Sequence, residues 1–211
     1  MEPVAKERIR REAQLASTQR ADLDAILDAG LVGTFSTVVD GRPLSVPMLY
    51  ARVGDRLYLH GSTGAGALRR VAAGAPANLC VTLIDGIVVA DNLFNSSANY
   101  RSAVVRGNPA RVSADEAYAA LTAMSDRLIP GRSAEVPRHS DKELAATLVL
   151  LLPITDHNWT AKVRTGPPDE PDVDPDAWAG VVPMTTVYGT PIPAPWVPKG
   201  MPLPPSVAAY R

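Results

Sequence analysis

The spacing of apolar positions divides the chain into segments of different period. Residues 4–29 are helical in pattern, rich in Arg, Glu, Lys, Ala and Leu. Asp22 is placed to cap a turn that leads to Leu23, Ile26 and Leu27, and Gly30 is the expected stop. From Leu31 the pattern turns β-branched. Leu31–Val39, Pro43–Arg52 and Arg56–His60 read as three strands, joined by Asp40-Gly41 and Val53-Gly54-Asp55. In the third, Leu57 and Leu59 alternate with Tyr58 and His60. Tight turns between successive strands predict an antiparallel meander and exclude a parallel Rossmann sheet.

After His60 the chain passes through Gly61-Ser62-Thr63-Gly64 into a short predicted helix, Ala65–Ala73, ending at Gly74. A strand, a small hydroxyl-rich loop and a helix start can form an anion site, with backbone N–H groups and hydroxyls facing the ligand. The same residues also make an ordinary surface turn. Further strands are expected at Asn78–Ile84 and Ile87–Phe94, around a turn at Asp85-Gly86. Another runs over Tyr100–Val112, interrupted at Arg106–Pro109. Ser113 and Glu116 have the spacing of a capping box for a helix whose Ala117, Ala120, Leu121 and Met124 share one face, and Pro130-Gly131 ends it. Asp141–Leu144 reads as a helical turn. The nearly continuous apolar run Ala146–Pro153 reads as a central strand, and Thr160–Arg164 as a last one. Residues 169–176 are acidic and spaced by prolines, which suits a solvated loop.

Residues 191–205 hold seven prolines, which rules out regular helix or sheet there. An extended tail over the body or over a partner is expected. The reading is therefore three parts: an N-terminal helical extension over 1–20, a barrel domain over 21–185 and a proline-rich tail over 186–211. The fold class is mainly β (α+β), with six or more antiparallel strands and flanking helices. So narrow a barrel places ligands on its outer wall or in a groove shared with a second copy.

Composition narrows the function. The 211 residues are 46% hydrophobic and 20% charged, enough for one compact core. A net charge of -1 gives no basic footprint for nucleic acid or an anionic membrane. The single cysteine, Cys80, precludes an internal disulfide and reads as a packed strand residue, and a reducing cytoplasm is the expected compartment. The N-terminus has no apolar signal core, and the longest apolar run falls far short of the roughly 20 residues of a membrane helix. The three histidines show no metal-ligand spacing, and His139 and His157 read as loop residues. Ser62 lacks the partners of a catalytic nucleophile. Lys162 and Arg164 alternate to one face beside Thr165-Gly166, which favours an anion over a plain solvated face.

Several pieces in order carry a family resemblance: Gly33–Ser36, Gly41-x-Pro43, Pro47-x-x-Tyr50, Leu57–Gly64, Asn99–Val105 with Gly107, Lys142-Glu143-Leu144, Ala161–Pro168 and Trp178-Ala179-Gly180. Over about residues 20–185 the chain resembles the flavin-nucleotide-binding split-barrel superfamily, in its pyridoxamine 5'-phosphate oxidase-related branch close to the nitroimidazole reductases. The resemblance implies a six-stranded antiparallel split barrel, paired as a homodimer with FMN in each of two interface clefts. Ser45, Val46, Pro47 and Met48, with Leu59 and His60, would pass along the isoalloxazine ring. Gly61, Ser62, Thr63 and the helix after them would take the phosphate. Tyr100, Arg101 and Ser102 would add polar contacts, and Lys162 and Arg164 would approach from the partner chain. Arg101, Lys162 or Arg164 would hold charge near the reduced ring.

The implied activity is an FMN-dependent oxidoreduction of a small organic substrate, with His60 managing the proton. The bland alternative for His60 is a hydrogen-bonded strand-end histidine. For Arg101 it is an ion pair, and for Trp159, otherwise stacked on a ring across the dimer, it is a cover for the core edge. The chain departs from the family where Ala65-Gly66-Ala67-Leu68 replaces the usual basic residues of the phosphate loop. Arg69 or Arg70 is the available substitute. A deazaflavin, haem or no cofactor at all stay open as alternatives, as do a non-catalytic flavin carrier and a biosynthetic enzyme on the same barrel.

Overall fold

The computed structural model describes residues 9–170 and 177–210. In order it places β1 (Ala16–Ser17), α1 (Arg20–Ala29), β2 (Val32–Val39), β3 (Arg42–Val53), β4 (Arg56–Ser62), α2 (Gly66–Ala72), β5 (Ala77–Val89), β6 (Ser97–Gly107) and β7 (Ala110–Arg111). Then come α3 (Ala114–Leu128), α4 (Asp141–Ala146), β8 (Thr147–Pro153), β9 (Trp159–Arg164), β10 (Gly180–Pro183) and α5 (Pro205–Ala208). All strand pairs are antiparallel, in the order β1-β9-β6-β5-β2-β3-β4-β8-β7, with β10 on β5. The expected strands are present as β2 to β6, β8 and β9, with Ile87–Val89 the end of β5 and not a strand of its own, and three short strands extend the sheet. Among the described residues no helix is long and apolar enough to cross a membrane.

The sheet curls around one core. Phe35, Leu57, Leu59, Leu79, Val81, Val105, Leu150 and Leu152 point inward, and α1 plugs the core with Leu23, Ile26 and Leu27. On the outer face α3 lays Ala120, Leu121 and Met124 over Ala51, Tyr58 and Val149. This explains β8. Its run is apolar because Leu148, Leu150 and Leu152 face the barrel while Val149 lies under α3. It is not central, since beyond β4 it meets only the two residues of β7.

Several expectations are corrected. The helical pattern of 4–29 yields an α-helix only from Arg20, and residues 4–8 lie outside the described residues. Ala16 and Ser17 pair with β9, so this part of the N-terminal extension is strand. Ser17 breaks the pattern, because its hydroxyl accepts from Gln19 N–H at 3.1 Å and donates to Asp22 at 2.5 Å. Asp22 therefore sits inside the first turn and Gln19 is the N-cap. Asp85-Gly86 is not a turn. β5 runs straight through it with a bulge between Ile84 and Gly86, held by β6 on one side and β10 on the other. The hairpin turns at residues 90–96 instead. Of the box at α3, only Ser113 caps, accepting from Glu116 N–H at 3.3 Å, because the Glu116 carboxylate is taken by Tyr58 and Arg56. The full capping box belongs to α4, between Ser140 and Glu143. The acidic stretch 169–176 falls mostly outside the described residues, and the end of the proline-rich tail folds as α5, whose Ser206 bonds Glu135.

Candidate functional site

β3 is long and belongs to two pairings. Arg42–Leu49 pairs with β2, and Tyr50–Val53 pairs with β4. Beyond Leu59, β4 keeps its partner β8 but leaves β3, so the sheet splits between β3 and His60–Ser62. Along the split one edge of β3 has no strand partner among the described residues. The two-residue turn Asp40-Gly41, with φ of 51° and 74° as a type I′ hairpin requires, makes Val39 and Arg42 the closing pair. Alternation then sends the N–H groups of 42, 44, 46 and 48 toward β2 and those of 43, 45, 47 and 49 into the split. Two of those four are prolines, Pro43 and Pro47, placed on the only side where a missing N–H breaks no ladder. The open edge therefore offers two donors, Ser45 N–H and Leu49 N–H. The Ser45 hydroxyl bonds Ser36 at 2.8 Å. Val46 and Met48 point to the other face of the strand, paired with Phe35 and Gly33.

His60 stands at the split on the outer face, under α3 and α4. It lines a cleft of about 360 Å³ with Leu49, Leu121, Met124, Ser125, Leu128, His139, Glu143 and Thr147. His60 Nδ1 is buried without a hydrogen-bond partner, and burial holds the ring below its ordinary pKa. The imidazole is therefore neutral at pH 7, with a nitrogen the protein leaves unsatisfied. The bland reading, a satisfied strand-end histidine, does not describe it. His139 shares the cleft and meets the Tyr118 ring edge-on at 5.9 Å, while His157 is an exposed turn residue.

The following loop folds back on itself. Ser62 accepts from Gly64 N–H at 3.2 Å, and Thr63 N–H donates to the Ala146 carbonyl at 3.1 Å. Gly61, just before them, lies against Leu68 of α2. Arg70 is tied to Asp40 at 2.7 Å, which leaves Arg69 exposed and without a partner among the described residues.

The other candidate residues divide by face. Tyr100, Ser102, Lys162 and Arg164 pair across β6 and β9 on the outer face. Lys162 donates to the Arg11 carbonyl at 2.9 Å, and Arg164 to Asn99 at 3.1 Å, so neither meets a carboxylate among the described residues. Arg101 looks the other way and is engaged by both oxygens of Asp85, at 2.8 and 2.6 Å. That is the ion pair weighed against a ligand contact. Trp159 packs against the barrel core. Cys80 is half-buried on the outer face beside Thr82 rather than in the core. Two groups form, then: Ser45–Met48 with His60–Thr63 along the split, and Tyr100, Ser102, Lys162 and Arg164 beyond β2 and β5, while Arg69 stands exposed on α2. Sequence reasoning missed the cleft wall. Leu121 and Met124 looked like ordinary helix core, and no local signal brought His139 near His60.

A curled antiparallel sheet that parts beside an unpartnered strand edge defines a split barrel with flanking helices. The chain belongs to the pyridoxamine 5'-phosphate oxidase family, whose sequence pattern matches residues 19–159. The structure is similar to that of the FAD and heme binding protein from Mycobacterium smegmatis, at 48% identity, covering 93% of this chain and 97% of that one, with a TM-score of 0.90. It is similar to the flavocytochrome Anf3 from Azotobacter vinelandii at 30% identity, covering 99% of each chain, with a TM-score of 0.89. A putative 5-nitroimidazole antibiotic resistance protein from Bacteroides thetaiotaomicron shares the fold at 20% identity over 70% of this chain and 86% of that one, with a TM-score of 0.57. No curated protein matches the chain in sequence.

Proposed function

We propose that this protein is a flavin-dependent redox protein that acts as a homodimer, with a flavin along the open edge of β3 and a haem in the His60 cleft. The observation that carries the reading is His60: neutral, with a buried nitrogen that nothing satisfies, among Leu49, Leu121, Met124 and Leu128. His60, a neutral imidazole in a mostly apolar cleft, would be the residue that holds a haem iron. The names of the two long matches, an FAD and heme binding protein and a flavocytochrome, support the same pair of cofactors.

The residues fit both groups. A flavin ring needs backbone donors along one edge, which Ser45 N–H and Leu49 N–H provide, and its phosphate needs hydroxyls and a cation, which Thr63 and Arg69 provide. This reading takes FAD in place of the FMN first expected. In one protomer the cleft of about 360 Å³ lies at the low end of ligand sites, ~300–1,000 Å³, which supports completion by a second copy. Lys162 and Arg164, unpaired with any described carboxylate, are the cations this second copy would bring.

When bound, the flavin supplies hydride chemistry and the haem one-electron transfer, which together link a two-electron donor to a one-electron acceptor. The chain's own residues do the rest. His60 offers its lone pair, the leucines and Met124 keep water from it, and the free edge of β3 fixes a planar ligand against Leu49. The test is an absorption spectrum of the purified protein, titrated with FAD, FMN and haemin, beside His60→Ala. Flavin bands and a Soret band are expected, with the Soret band lost or shifted in His60→Ala and the flavin bands kept. A variant that takes haemin with an unchanged Soret band overturns the assignment. A second reading follows from Leu49 and His60 sharing one cleft, so that a flavin held along that edge of β3 would lie beside the histidine. If flavin binds and haemin does not, His60 manages the proton, as its acceptor, in an FMN-dependent oxidoreductase acting on a small organic substrate.

A further inference from the structure

The C-terminal segment fastens the wall of the His60 cleft at two points. Ser206 of α5 is 3% exposed. Its N–H donates to Glu135 Oε1 at 2.9 Å and its hydroxyl to Oε2 at 2.5 Å, so both oxygens of one carboxylate are held by one residue. The Glu135 side chain is 20% exposed and also accepts from Arg132 at 3.1 Å. Four residues further on, the Tyr210 hydroxyl donates to the Leu128 carbonyl, and its ring packs on Tyr188 at 4.5 Å.

The segment fastened in this way, residues 128–139, links α3 to α4. After Leu128, the last residue of α3, it contains only a single 3₁₀ turn, Arg132–Ala134, and Ser133 ties that turn to Asp126. From Val136 to Arg138 no hydrogen bond joins it to the rest of the described chain. Yet its inner side is the site wall. Leu128 and His139 line the cleft with His60, and both also line an adjoining cavity of about 190 Å³. A weakly structured wall held from outside by charge-assisted hydrogen bonds owes its position to them.

We propose that Glu135, Ser206 and Tyr210 form a latch, by which the C-terminal segment holds Leu128 and His139 in place over the His60 cleft. They are positioning residues. The inference rests on reading that cleft as a cofactor site, but the latch is testable without any cofactor.

The experiment uses the full chain and the variants Ser206→Ala, Glu135→Gln and Ser206→Thr. Carbethoxylation of His60 and His139 by diethyl pyrocarbonate is followed by peptide mass spectrometry, with exposed His157 as internal reference. Ser206→Ala and Glu135→Gln are expected to raise the rates at His60 and His139 roughly tenfold, the change that losing one charge-assisted hydrogen bond allows. His157 should stay put, the thermal midpoint should fall by only about 2–4 °C per kcal/mol lost, and Ser206→Thr, which keeps the hydroxyl, should restore the slow rates. Haemin dissociation is then measured by transfer to apomyoglobin, and it should quicken in the same two variants. Unchanged carbethoxylation in both variants overturns the latch, whether or not haemin binds. So does a rise at His157 equal to that at His139, which marks general loosening. Faster carbethoxylation in a chain whose wild type takes no haemin supports the latch and removes the haem reading alone.

Discussion

Arg127 shows how one side chain replaces a missing cap. Helix α1 ends without a left-handed residue, so its last carbonyls need partners from elsewhere. The Arg127 guanidinium, from α3, donates to the carbonyls of Leu27 at 2.6 Å, Asp28 at 3.0 Å and Gly30 at 2.5 Å, and lies 5.2 Å from the centre of the Tyr50 ring. Tyr50 donates to the same Leu27 carbonyl at 2.6 Å, and burial pushes its phenol up to about 12, so the donor is never lost near neutrality. Arg127→Met takes the side-chain donor from the Asp28 and Gly30 carbonyls and leaves the Leu27 carbonyl to Tyr50 alone, and is expected to cost about 3 kcal/mol in urea unfolding. Arg70→Met, which breaks an ion pair whose side chains are 51% and 72% exposed, should cost under about 1 kcal/mol. Asp85 gives a pH dependence. The Arg101 guanidinium holds its carboxyl below the ordinary value of 3.8, so the folded state keeps the charge that the unfolded chain gives up first. That contribution is whole above 3.8 and is lost as the pH falls through the depressed folded value. Acid unfolding curves should therefore fall more steeply below pH 3.8 for the wild type than for Asp85→Asn.

At the scale of elements, the parts with local causes were legible and those with distant causes were not. The β2–β3–β4 meander could be read because Asp40-Gly41 and Gly54 carry their turns with positive φ. Helix α3 could be read because its cap and apolar face lie within its own sequence. The break of β5 at Asp85-Gly86 was misread because its continuity comes from β6 and β10, which no window of β5 contains. The candidate site divides the same way. His60 closes an alternating strand just before a hydroxyl-rich loop and stands out in the sequence, whereas the wall opposite it arises where α3, α4 and residues 128–139 converge. Gly30 illustrates the difference in a single position. It looks like a helix stop, but its φ of -78° suits any residue. What requires glycine is space, since a Cβ there would lie 2.5 Å from Val81 Cγ1 and 2.9 Å from Tyr50 Oη. Gly30→Ala should destabilise by about 1–3 kcal/mol through overpacking, read as a lower midpoint with unchanged slope in denaturant.

For the whole molecule, the apolar surface decides the expectation. Leu93 and Phe94, at the tip between β5 and β6, are 95% and 97% exposed, and Leu44, Val46 and Leu49 stand partly exposed along β3. Such surface on one protomer is the mark of an interface. The proposed homodimer should sediment at twice the monomer mass, and the double substitution Leu93→Ser with Phe94→Ser should shift it toward monomer. A species at monomer mass in the wild type would remove the shared-cleft reading. The split imposes a further demand on the chain before any ligand or second copy arrives. A long strand with one bare edge is a template for stacking onto another chain, and freshly made protein must pass through that state. Pro43 and Pro47 leave two gaps in the row of N–H groups such stacking would use, so the opening proposed to take a planar ligand is a poor seed for fibrils.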